Sequence, residues 1–125
     1  MGSVLEVNAS DWKQEVLRSD ILTVVEFWHK HCPWCIMLNP IFDAFAEEYK
    51  GKIKIVKLNV LESSDNREIA INYGVMSTPT LVFFCAGRPI EVVVGFMPKE
   101  QIKKIFGDIL ERHRECIKQS TELKI

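Results

Sequence analysis

Ile21-Leu22-Thr23-Val24-Val25-Glu26-Phe27-Trp28-His29-Lys30-His31-Cys32-Pro33-Trp34-Cys35 is the stretch on which the reading of this chain turns. Ile21 to Phe27 is a near-continuous apolar run, the pattern of a strand buried on both faces. Two cysteines three apart follow at the point where a strand gives way to a helix. There they can close a small disulfide. The first sulfur faces the helix's unpaired N–H groups and the positive end of its dipole, which favour thiolate over thiol. A thiolate is the species that attacks disulfides, so Cys32-Pro33-Trp34-Cys35 reads as a redox dithiol.

Outward from this stretch, Val4 to Val7 alternates weakly like a short strand, and Asn8 or Ser10 can cap a helix over Asp11 to Leu17. Past the dithiol, Leu38, Ile41, Phe42, Phe45, Ala46 and Tyr49 recur at helical spacing until Gly51 supplies a stop. Ile53 to Val60 is the next strand, and Asp65 with Glu68 opens a helix that runs to Gly74. Thr80 to Phe84 and Ile90 to Val94 flank Ala86-Gly87-Arg88-Pro89 and predict an antiparallel hairpin. Pro98 suits the first turn of a last helix, with Ile102, Ile105, Phe106, Ile109 and Leu110 on one face. Alternating βαβ units closed by a hairpin give a three-layer α/β/α sandwich with a central mixed sheet. Residues 1–125 are read as one domain, with a charged helical extension over about 111–125 that frays towards its end.

With 125 residues, 47% hydrophobic and 26% charged, the composition is that of a soluble globular protein. Sixteen basic against seventeen acidic side chains argue against a nucleic-acid or anionic-membrane partner attracted by bulk charge. No run approaches a transmembrane helix, and the first residues lack the charged start and apolar stretch of a signal peptide, so a cytosolic location is expected. Cys85 and Cys116 read as small apolar fillers, with a regulatory disulfide or an intermolecular link through Cys116 as the alternatives.

The ordered set of features resembles the thioredoxin family from about Asp11 to about Leu110. It comprises the strand ending Glu26-Phe27-Trp28, the Cys-x-x-Cys at 32 to 35, and Pro40 inside the following helix. Lys57 in a central strand, Ser77-Thr78-Pro79-Thr80 before the hairpin and Gly95 after it complete the set. The resemblance implies a thioredoxin-like fold and a thiol–disulfide oxidoreductase that reduces protein disulfides. Cys32 would be the nucleophile and Cys35 the resolving thiol, with no cofactor beyond the redox-active disulfide. Disulfide-containing client proteins and a thioredoxin reductase or equivalent electron donor would be its partners, and a monomer is expected. Glu26, where the family usually has Asp, sits in an apolar strand. Burial should raise its pKa and let it exchange a proton with Cys35, while Lys57 across the sheet opposes that rise. A salt-bridged or solvent-reaching Glu26 is the plainer reading. Pro79 resembles the family's cis-proline, which leaves the Thr78 backbone to pair with an extended substrate. Gly95 would admit a substrate close to the backbone, and Trp34 would lie on the exposed rim as substrate contact or cover.

The dipeptide Pro33-Trp34 departs from the family's common Gly-Pro, and Cys-Pro-aromatic-Cys looks more like the glutaredoxin motif. The dipeptide sets thiolate stability, and a protonated His31 would add to it, so His31, Pro33 and Trp34 are candidates for tuning the potential towards oxidising or isomerase work. Against a glutaredoxin, Gly95-Phe96-Met97-Pro98 lacks the Gly-Gly and acidic pair expected for holding glutathione. The cluster His29-Lys30-His31-Cys32 with Cys35 has metal-ligating residue types, yet a strand end and one helix turn do not readily surround a metal. No metal is therefore expected.

Overall fold

The computed structural model describes residues 4–116. Five strands form one sheet in the order β1-β3-β2-β4-β5. They are β1 (Leu5–Glu6), β2 (Leu22–Trp28), β3 (Ile53–Asn59), β4 (Thr80–Cys85) and β5 (Arg88–Val94). Three α-helices accompany them: α1 (Pro33–Glu48) between β2 and β3, α2 (Ser64–Asn72) between β3 and β4, and α3 (Lys99–Arg112) after β5. β1, β3 and β2 are parallel, whereas β4 and β5 run antiparallel, which makes the sheet mixed.

β2 occupies the centre and is buried along its whole length, as its near-continuous apolar run predicts, with Thr23 and Glu26 buried among the apolar residues. Because side chains alternate across a strand, β2 serves two cores at once. Leu22 and Val24 face α1 and α3, packing with Leu38, Phe42 and Phe45 of α1 and Ile102, Phe106 and Ile109 of α3. Val25 and Phe27 point to the opposite layer, where Trp12, Val16 and Ala70 cover the sheet. Glu26 and Trp28 continue the first set, so the parity of the strand aims both at the layer that carries the dithiol.

Several expectations are corrected. The segment taken as a helix over Asp11 to Leu17 is a 3₁₀ turn, Ala9–Asp11, running into a π-type turn, Lys13–Leu17. Apolar spacing alone does not distinguish these from an α-helix, since Trp12 and Val16 are buried in either. The first strand shrinks to Leu5–Glu6. Pro98 caps α3 from outside, in extended conformation, rather than opening its first turn. The hairpin connection is only Ala86-Gly87, both at positive φ (53° and 81°), and Arg88 and Pro89 belong to β5. That pair of angles is what a two-residue hairpin turn compatible with strand twist needs. A β-bulge shifts the register between Phe83, opposite Glu91, and Phe84, opposite Pro89. The extension expected over 111–125 is helical through Arg112 and again over 114–116, while 117–125 lies outside the described residues.

The reading of Cys85 and Cys116 as separate fillers also fails. They are joined in a disulfide, with Cα atoms 5.8 Å apart, which ties the end of β4 to the segment after α3. The strand end and the last helix meet only through the tertiary fold, so their pairing is not visible in linear spacing.

Candidate active site

The dithiol sits at the junction of β2 and α1. Cys32 is the N-cap of α1, in extended conformation, and Pro33 takes the first helical position, where its missing N–H costs nothing. Cys32 and Cys35 are joined in a disulfide. The Cys35 backbone N–H donates to Cys32 Sγ at 3.2 Å. The same N–H is thereby placed to donate to a Cys32 thiolate once the bond is reduced, and hydrogen bonding to the charged form favours it. Cys32 is 6% exposed and Cys35 fully buried, so an incoming disulfide meets the N-cap sulfur first. Trp28 packs against both.

On the same face of β2 as Trp28, Glu26 is 0% exposed and neither carboxylate oxygen has a hydrogen-bond partner. Burial is the main reason its pKa is pushed up from 4.5 to about 7. Lys57 opposes the rise, and Glu6 and Asp43 add to it. The register explains this arrangement. Lys57 of β3 lies opposite Glu26 on one side and Glu6 on the other, a cation between two carboxylates on adjacent strands. Its Nζ stands 4.6 Å from the Trp28 ring centroid, a cation–π contact. Trp28 Nε1 donates to Glu6 Oε2 at 3.2 Å, and burial again leads the causes that raise the Glu6 pKa. Glu6 is a member of this network that sequence reasoning missed; the signal was the parallel pairing of β1 with β3. The plainer reading, a Glu26 satisfied by a salt bridge, does not hold among the described residues, because no ion pair within reach joins it to Lys57.

A shallow cleft of about 280 Å³ is lined by Trp34, which stands between the two cysteines in sequence, and by Thr78, Pro79, Gly95 and Phe96. Trp34 is 54% exposed and leans on Phe96, with ring centroids 5.3 Å apart. Phe96 is a second residue that the sequence reading noted only for what it lacked. The Thr78–Pro79 peptide bond is cis. Pro79 O accepts from the Gly95 N–H at 2.8 Å, which locks the two walls together, and Thr78 makes no backbone hydrogen bond among the described residues. Gly95 has φ +94°, a conformation that side chains resist, and open space where a Cβ would stand. His31 is exposed, its backbone N–H bonded to His29 Nδ1 at 3.2 Å. Among the described residues no group of three or more His, Cys, Asp or Glu is arranged to hold a metal ion.

The thioredoxin family model matches residues 3–108. The chain belongs to the thioredoxin family. It is 40% identical over 113 residues to thioredoxin 1 of Nostoc sp., covering 90% of this chain and 99% of that protein. Thioredoxin of Porphyra purpurea is 42% identical over 101 residues, covering 81% and 92% respectively. A chloroplastic M-type thioredoxin of Spinacia oleracea is 39% identical over 99 residues, 79% of this chain and 53% of that one. Together with the Cys32–Cys35 disulfide, membership makes this chain a thiol–disulfide oxidoreductase that reduces protein disulfides, with disulfide-containing substrates and a reductase as donor. No described helix is long and apolar enough to cross a membrane.

Proposed function

We propose that reduced Cys32 attacks a client disulfide, and that Cys35 then resolves the adduct with Glu26 as its base. In the first step the Cys32 thiolate bonds to one client sulfur and the other leaves as a thiolate. In the second, the Cys35 thiol gives its proton to Glu26, attacks Cys32 Sγ, and expels the second client sulfur as a thiolate, which takes up a proton from solvent, as the Cys32–Cys35 disulfide re-forms. A reductase returns two electrons to complete the cycle, and no further cofactor is called on. The observation that carries this reading is the pairing of a slightly exposed N-cap sulfur with a fully buried second sulfur, beyond a strand that carries a buried, unpartnered carboxylate whose pKa is about 7. A base works best when its pKa lies near the working pH.

Trp34, Thr78, Pro79 and Gly95 are proposed to hold an extended segment of client across the cleft, with Lys57 keeping Glu26 ionisable. His31, Pro33 and Trp34 set the potential. The chain is proposed to act as a monomer in the cytosol, within electron transfer from reductase to client; a chloroplastic setting, as in the name of the spinach relative, is the alternative.

Cys35→Ser protein should accumulate mixed disulfides through Cys32, visible as adducts on non-reducing gels that dithiothreitol removes, whereas Cys32→Ser should form none and lose insulin reduction. Adducts on Cys32→Ser would reverse the assignment. The Pro33-Trp34 dipeptide favours a second reading, disulfide isomerisation or oxidation. The potential of the couple separates the two: about -270 mV marks a thioredoxin-type reductant, and about -180 mV or higher an isomerase or oxidant.

A further inference from the structure

We infer that Cys85 and Cys116 are a second redox couple, which low-molecular-weight disulfides of the glutathione type close and the corresponding thiols open, and which fastens the segment after α3 to the sheet. Three observations meet here. First, the cysteines belong to different elements, the end of β4 and the short helical stretch beyond His113, and are bonded to each other. Second, the bond is within reach of a small molecule. Cys85 is half-buried rather than enclosed, and both cysteines line an open cleft of about 320 Å³ with Arg88, Pro89 and His113. Third, His113 Nε2 is buried in that cleft without a hydrogen-bond partner. The unpartnered imidazole nitrogen thus lines the same cleft as the bonded cysteines, and opening the bond would add an S–H donor or a thiolate acceptor to that cleft.

The chemistry balances as ordinary exchange. A thiolate attacks Cys85 Sγ, the Cys85–Cys116 bond breaks, and Cys116 leaves as a thiolate that takes up a proton. A second thiolate attacks the external sulfur of the mixed disulfide, releasing Cys85 as a thiol and the small molecule as its disulfide. Closure is the reverse, with the small disulfide as oxidant and two electrons passing from the protein to it. The two couples do not share electrons within one molecule. Thr80, next to Pro79 at the catalytic end, and Cys85 stand at opposite ends of β4, about 17 Å apart at the rise of a strand. The inference therefore stands independently of the roles given to Cys32, Cys35 and Glu26.

The test uses the unmodified protein, equilibrated in glutathione buffers from strongly reducing to strongly oxidising, acid-quenched, alkylated and mapped by peptide mass. Cys85 and Cys116 should pass together from two thiols to one disulfide within the series. A pair that stays bridged in the most reducing native buffer, or unbridged in the most oxidising, overturns the proposal. Brief trypsin treatment supplies the second readout. Cleavage after the exposed Arg114 should be several-fold faster in the reduced than in the oxidised pair, while cleavage after Lys54 within β3 stays constant. Equal rates at Arg114, or a parallel rise at Lys54 that reports global unfolding, would show that the bond does not fasten this segment locally.

Discussion

Glu26→Gln removes an ionisation while keeping the size of the side chain, and its effect on stability follows from the burial of the carboxylate. Folding raises the Glu26 pKa from 4.5 to about 7. Between these values the native protein holds a proton that the unfolded chain has released. Stability therefore falls as pH rises through that window. The penalty is absent below pH 4.5 and complete above about pH 7. A gap of this size is worth about 3 kcal/mol. Gln has no charge to desolvate, so the variant should be more stable than the parent by about 3 kcal/mol at pH 8, and the advantage should vanish towards pH 4.5. Urea unfolding of the oxidised protein at a series of pH values, followed by tryptophan fluorescence, measures this difference directly. A gap that does not change between pH 5 and pH 8, or a variant less stable at pH 8, would refute the claim that Glu26 is a desolvated, unpaired acid. The same substitution should slow resolution of the mixed disulfide, because Gln cannot accept the Cys35 proton.

Lys57→Met should move the Glu26 pKa further above 7, since the lysine is the leading influence that lowers it; the carboxyl band in pH-difference infrared spectra, compared with that of Glu26→Gln, reads the shift. Asn66→Ala should cost about 2 to 4 kcal/mol in the same unfolding assay. Its buried amide accepts from the Ala9 N–H and donates to Asn8 Oδ1 and Asn59 O, so it holds the segment before the 9–17 turns to α2 and β3. An unchanged unfolding midpoint would mean that water satisfies the stranded groups.

The parts of the structure written in local pattern were legible without coordinates. The seven buried residues of β2, the apolar spacing of α1 and α3, and a Cys-x-x-Cys at a strand-to-helix junction each carry their geometry in consecutive residues. Glu26 was recognisable as a buried acid because a carboxylate inside an apolar run has nowhere else to go. What remained hidden depends on distance in space. Glu6 reaches the Lys57 network only through the parallel register of β1 on β3, and Phe96 reaches Trp34 only because Gly95 turns the chain beside Pro79. Four cysteines permit three pairings, and only the packing of the last segment against the end of β4 brings Cys85 to Cys116. The turns over 9–17 differ from an α-helix in hydrogen-bond offset, a property that apolar spacing does not encode.

The 31-residue separation bridged by Cys85 and Cys116 encloses β5 and α3 in a covalent ring, with consequences for the protein as a mechanical object. A force applied between the two ends passes from Cys85 to Cys116 through the sulfurs and bypasses everything between them. Stretched by optical tweezers through the ends of the whole chain, the oxidised protein should extend less on rupture than the fully reduced one, by about 100 Å for this ring alone at the reach of an extended chain. The pair thus sets how much of the polypeptide can be drawn out by a threading or translocating machine, and its redox state decides whether the last strand and helix travel as a line or as a loop.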